Sequence, residues 1–183
     1  MSSPSRLRLF YLLHLSKPAS NRLIYREVRR IKPRSIVEIG IGTAERAGRI
    51  LELACEFHEP RQIRYTSIDQ FEDRAATAGS ALPLREAHRL LKATGARIQL
   101  VPGTPLEALA RTANALGKAD LMVLSPWEGA QQLAAAWFYV PRMLHEHTVV
   151  LLETVAANGD ASIRAVERAE IEALAGAKRR KAA

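Results

Sequence analysis

The chain has 183 residues, 48% of them apolar and 25% charged, enough for one domain with its own core. Its single cysteine, Cys55, excludes an internal disulfide and suits a reducing compartment, the cytoplasm, and no apolar run approaches the ~20 residues of a membrane span. The net charge of +8 gathers at two places: residues 1–34 hold nine Lys or Arg against one acid, and "KRRK" (Lys178 to Lys181) adds four cations, so the intervening chain is net negative.

In chain order, Ser5 to Leu15 reads as a helix, with Pro18 as a break. Its "LFYLLHL" follows two arginines as a secretory signal would, but it contains His14 and lacks a small-residue cleavage site, so no targeting is expected. Ser20 is placed to cap a second helix, Asn21 to Ile31, with Leu23, Ile24, Val28 and Ile31 near one face. "SIVEI" is a buried strand, and Thr43 to Phe57 a helix with Ala47, Ile50, Leu51 and Ala54 on one stripe.

The unit then repeats. "IRYTSID" is a strand, Ala75 to Ala81 a loop of small residues, and Pro83 begins a helix that Gly95 closes. "RIQLV" is a strand, "PGTP" a turn, and Leu106 to Leu116 a helix ended by Gly117. "ADLMVLS" is a strand, "PWEG" a loop, and Ala130 to Leu144 a helix; "TVVLLET" is a strand, and Ala161 to Ala175 the last helix. Five strands each followed by a helix predict an α/β, doubly wound, mostly parallel sheet with helices on both faces. Ligands of such sheets bind outside the carboxyl ends of the strands.

The first strand leaves through "EIGIGTA". Glu38 is costly inside an apolar run unless something pairs with it, and Gly40 and Gly42 let backbone approach a ligand. A dinucleotide fingerprint wants a third glycine where Glu45 stands, and a carboxylate there would repel a pyrophosphate.

These residues resemble the class I S-adenosylmethionine-dependent methyltransferases, closest in look to the small-molecule O-methyltransferase-like members. The first motif of that family, an acid followed by Gly-x-Gly-x-Gly, corresponds to Glu38, Gly40 and Gly42, with Ala44 in place of the third glycine. The acid that ends the second strand and holds the ribose hydroxyls corresponds to Asp69. The resemblance covers about residues 20 to 155. It implies a Rossmann-like sheet of order 3-2-1-4-5 and S-adenosylmethionine as cofactor. The cofactor-binding residues it implies are Glu38, Gly40, Gly42, Thr43, Asp69, Gln70, Gly103, Thr104, Ser125 and Trp127.

Departures from the pattern set further expectations. Gly103-Thr104 stands where relatives carry Gly-Asp, and Ser125-Pro126 stands where metal-dependent relatives end the fourth strand with an aspartate, so no metal is expected. The last two strands of the usual seven are expected to be missing, leaving the fifth strand as an edge for the final helix or a homodimer. No catalytic residue is assigned; Glu128, Glu153 and His145 are general-base candidates by position. "HEH" (His145 to His147) lacks zinc-ligand spacing, Cys55 is expected to be buried and inert, and Trp137, Phe138 and Tyr139 are expected in the core.

The expected organisation is a basic helical cap over residues 1–34, packed on the rim as a lid, a cofactor-binding core over 35–176, and a basic tail over 177–183. The expected partner is a small-molecule methyl acceptor, without membrane association. A nucleic-acid acceptor held by the basic ends is the less favoured alternative, because the rim has no aromatic ladder for stacking bases. A methyltransferase fold kept as an inert binding module is the other.

Overall fold

The computed structural model describes residues 6–74, 82–125, 133–134, 136–156 and 159–179, with backbone alone for 177–179. Helix α1 (Arg6–Phe10) runs into a wider π-helical turn (Tyr11–Leu15), and α2 (Asn21–Ile31) leads to β1 (Ser35–Ile39). There follow α3 (Glu45–Ala54), β2 (Arg64–Asp69), α4 (Leu84–Lys92), β3 (Arg97–Pro102), α5 (Pro105–Thr112) and β4 (Ala119–Leu124). The last elements are β5 (Leu144–Val155), β6 (Ala161–Ala165) and α6 (Arg168–Arg179).

The sheet order is β3-β2-β1-β4-β5-β6, with β1 to β5 parallel and β6 antiparallel to β5. Two apolar clusters pack on it. One joins α2, α3 and α4 to Ile36, Tyr65, Leu121, Val123 and Leu151; the other joins α5, the segment around Trp137 and α6 to Val37, Ile68, Met122 and Val150. Alternate residues of each strand therefore serve opposite layers, as a strand's period of two requires. The π-helical turn and α2 place Leu12, Leu13, Ile24, Tyr25 and Val28 in the first cluster. No helix among the described residues is long and apolar enough to cross a membrane.

Two expectations are corrected. The segment from Ala161, read as helix, begins as β6, whose Ala161 pairs with Val155 and Ala165 with Leu151; the helix starts at Arg168. The connection from β5 is too short for a crossover helix, and antiparallel pairing is what a short connection allows. Thr154 and Ser162 hydroxyls pair across the ladder at 2.8 Å. β5 is therefore not a sheet edge, and the sheet has six strands rather than five. The expected helix Ala130 to Leu144 also ends early. After helical Leu133, Ala134 and Ala136 the chain turns, and Pro141 sits in a 3-10 turn (Val140–Met143) that passes into β5. Proline's missing N–H and its ring clash make that break.

Candidate functional site at the carboxyl rim

Period-two alternation places Glu38, Tyr65, Ser125 and Glu153 on the sheet face that α3 covers; Glu38, Ser125 and Glu153 lie at or near the carboxyl ends of their strands, and Tyr65, near the start of β2, reaches Glu38 through its hydroxyl. Arg46, in the first turn of α3, reaches down into this group. Its Nε donates to Glu38 Oε1 at 2.7 Å and its Nη1 to Glu153 Oε2 at 2.8 Å. Its Nη2 donates to Ser125 Oγ at 2.8 Å and to the Gly40 carbonyl at 3.1 Å. Ser125 Oγ donates in turn to Glu153 Oε2 at 2.5 Å, and the Tyr65 hydroxyl donates to Glu38 Oε2. All five side chains are buried.

Burial opposes the Arg46 charge, but Glu38 and Glu153 outweigh it and raise its pKa, so it stays a cation. Burial and the Glu38 carboxylate push the Tyr65 phenol well above its usual range, so it stays a donor. One guanidinium between two carboxylates leaves the cluster formally with one negative charge. Arg46 was not among the expected site residues. Positions 46, 50 and 53 fall on one helical stripe with buried Ile50 and Leu53, so an arginine there points inward and needs the buried acid that Glu38 supplies.

Asp69 ends β2 and is buried. Its Oδ2 accepts from the Ile41 N–H at 2.8 Å and its Oδ1 from the Phe71 N–H at 2.9 Å, tying the loop after β1 to the end of β2. Arg74, also buried, donates through Nη2 to Asp69 Oδ2, while its Nε has no hydrogen-bond partner among the described residues. A carboxylate offers about four acceptor positions, and the described residues take three of them.

The loop after β1 turns in left-handed conformations at Gly40 (φ 80°), Gly42 (φ 59°) and Ala44 (φ 62°). In front of Gly42 a Cβ would meet nothing within 4 Å, so the loop faces open space there. Ala44 holds the third glycine's conformation with a side chain that disfavours it by ~1–2 kcal/mol. Changing Ala44 to glycine relieves that strain while losing a buried methyl, ~0.8 kcal/mol, and ~0.5–1 kcal/mol of chain entropy. The expected result is a stability change near zero. Ala47→Gly, at a buried helical position with no strain to relieve, is expected to cost ~2 kcal/mol. Urea unfolding of the two variants checks the contrast; equal losses would contradict it.

The other expected site residues are placed as follows. Thr43 is exposed beside Gly42, and Gln70 is half-buried just past Asp69. Gly103 N–H donates to the Asp69 carbonyl at 3.0 Å, so this loop adjoins the same rim. Thr104 caps α5: its Oγ1 accepts from the Glu107 N–H at 3.3 Å while Glu107 Oε2 accepts from the Thr104 N–H at 3.3 Å. Trp127 and Glu128 lie outside the described residues. Glu153 is on the rim, held by Arg46 and Ser125.

His145, expected as a base candidate, is at the opposite end. It is the second residue of β5 and pairs through Nε2 with Asp120 Oδ1 at 3.0 Å, near the start of β4. The β5 strand starts five residues before the apolar run "VVLL" that marked it, which carries "HEH" to the amino end of the sheet. Among the described residues no three of His, Cys, Asp and Glu gather as a metal site. Cys55 is half-buried, and burial pushes its thiol pKa up. Trp137 is buried, whereas Phe138 and Tyr139 are half-buried under the Arg142 guanidinium.

No protein-family model and no curated protein sequence matches the chain. Solved structures do. CalS11, a calicheamicin methyltransferase, superposes with a TM-score of 0.55 at 18% identity, covering 80% of this chain and 75% of that one. TomG from Streptomyces achromogenes, an O-methyltransferase involved in tomaymycin synthesis and solved with S-adenosylmethionine, gives 0.57 at 15%, over 88% and 66%. The Podospora anserina methyltransferase PaMTH1, bound to S-adenosylhomocysteine, gives 0.54 at 16%, over 88% and 65%. The present chain thus spans a little under two thirds of the length of the latter two. At these identities the likeness establishes the fold, the Rossmann-like fold of class I methyltransferases.

Proposed function

We propose that the chain is an S-adenosylmethionine-dependent methyltransferase acting on a small-molecule acceptor. The observation that carries the reading is the joint placement of Asp69 and the left-handed loop through Gly40 and Gly42 at one rim, bonded to each other through the Ile41 N–H. The same fold serves methyltransferases in the three solved structures, two of which hold the cofactor or its product.

The residues suit the group. The open space at Gly42 admits it against backbone, Asp69 offers a carboxylate to a ribose diol once Arg74 yields its place on Oδ2, and the excess negative charge around Glu38 and Glu153 favours a cationic ligand. The cofactor would supply a methyl group already activated on sulfonium. The protein's task is then to align an acceptor and exclude water.

Calorimetry with S-adenosylmethionine tests this. One site is expected, and Asp69→Asn is expected to weaken binding by ~1.5–3 kcal/mol, the scale for hydrogen bonds to a charged group. Absence of binding at millimolar ligand would sink the reading.

One observation favours a second reading, a binding module without turnover. Each described rim carboxylate, Glu38, Asp69 and Glu153, is held by an arginine of the chain itself, and none stands as a ready general base. Labelled methyl transfer into a metabolite extract separates the two: a labelled product that vanishes in Asp69→Asn establishes the enzyme, while tight binding without product favours the module.

A further inference from the structure

Parallel topology gathers whatever precedes each strand at one end of the sheet. Here every parallel strand starts with a cation: Arg97 opens β3, Arg64 opens β2, Arg34 precedes β1, Lys118 precedes β4, and Arg142 stands two residues before β5. The sheet order sets them side by side in that sequence. Arg64 and Arg97 are register partners, and Arg64 also reaches Ser35 Oγ at 3.3 Å. Adjacent strands lie ~4.8 Å apart, so the row runs for roughly 19 Å.

All five side chains are exposed. Among the described residues none of the five forms an ion pair, although Arg8, Arg30, Arg49, Arg164 and Arg168 all pair with glutamates. Two acids lie beside the row, and both are engaged: exposed Glu146 pairs with His147 at 2.8 Å, and Asp120, which also lines the groove next to the row, is held by neighbouring groups. Asp120 Oδ2 accepts from the backbone N–H groups of Arg34 and Ser35 at 2.7 and 2.8 Å, and its Oδ1 faces His145. Beside the row, Lys32 and Arg34 line an open groove of about 520 Å³ shared with His145 and His147.

We infer that this basic row is a docking surface for the phosphate backbone of a nucleic acid, bound without reading its bases. The match is one of spacing and charge. A duplex carries a phosphate about every 3.4 Å of axis on each strand, so ~19 Å of duplex offers the five cations at least as many phosphates. Aromatic rings that could stack on bases are absent from the row itself; Phe138 and Tyr139 lie against Arg142. Phosphate contacts without base contacts give affinity without sequence preference.

The test is fluorescence anisotropy of the full chain with a labelled 20-base-pair DNA duplex, between 50 and 200 mM KCl. Five contacts give an expected slope of log K against log salt of about −4.5, at ~0.9 per phosphate. The double variant Arg64→Gln/Arg97→Gln is expected to flatten that slope by about 2 and to bind at least tenfold more weakly at 100 mM salt. Arg26→Gln/Arg85→Gln removes the same charge from exposed positions outside the row and is expected to leave the slope unchanged. Unaltered melting of both variants, which change exposed side chains only, keeps the comparison clean. Three results would overturn the inference: no binding at 100 μM protein in 50 mM salt, a slope that survives the row variant but not deletion of residues 178–183, or equal displacement by polyglutamate of matched charge, which would assign the row to an acidic protein.

Discussion

Arg46→Met is expected to destabilise the protein by roughly 3–5 kcal/mol, the cost of removing one partner from a buried ion pair. The substitution keeps an unbranched side chain of similar length but leaves Glu38 and Glu153 facing each other, both buried, with Ser125 Oγ short of one donor. Arg46→Lys keeps the charge, yet an ammonium is a point donor on a flexible stem and cannot span the four acceptors that the planar guanidinium reaches. An intermediate loss is expected there. Adding Glu153→Gln to Arg46→Met is expected to recover part of the loss, because it removes one of the two stranded charges. Urea unfolding measures all three. A loss below 1 kcal/mol for Arg46→Met would mean that water reaches the two carboxylates.

Arg74→Met is expected to act on stability and ligand binding in opposite directions. Without ligand, the variant leaves Asp69 buried and short of its cationic partner, at a cost of ~3–5 kcal/mol. On the proposed cofactor reading, a ribose diol needs two acceptor positions on a carboxylate that already serves Ile41, Phe71 and Arg74. In the wild type the diol must displace the guanidinium; in the variant it meets a carboxylate with positions to fill. The gain in melting temperature produced by 1 mM S-adenosylhomocysteine is therefore expected to be larger for Arg74→Met than for the wild type. An equal or smaller gain would show that Arg74 supports the ligand instead of competing with it.

Much of the architecture follows from periodicity. The five parallel strands and the helices between β1 and β4 are marked by apolar runs bounded by glycine and proline, and neighbouring packing agrees with those local signals. β6 was obscured by its composition: Ala161, Ala165, Ala169 and Glu170 favour a helix, and an edge strand with an exposed face has no apolar run to announce it. The signal that could have found it is Asn158-Gly159 before "ASIRA", a turn pair followed by alternation. At the candidate site, Gly40 and Gly42 were legible from the turn between strand and helix, Glu38 from the cost of a lone acid in an apolar run, and Asp69 from the family resemblance. Their partners were not. Arg46 could have been placed from its helical stripe. Arg74 could not, because the chain reverses between it and Asp69 through a 3-10 turn (Phe71–Asp73) whose first residue has φ 53°, and no period survives such a turn.

Four of the five parallel strands, β1 to β4, hold only five or six residues, and their shortness sets an electrical distance. At ~3.3 Å per residue, strands of five or six residues hold the row of strand-start cations roughly 17–20 Å from the carboxylates at the other end. At physiological ionic strength mobile ions damp an exposed charge over about 8 Å, so the solvent path between the two ends exceeds two screening lengths. A polyanion seated on one end would then barely alter the potential felt by a cationic ligand at the other. In 10 mM salt the damping length grows to ~30 Å, and the same two ends would sense each other.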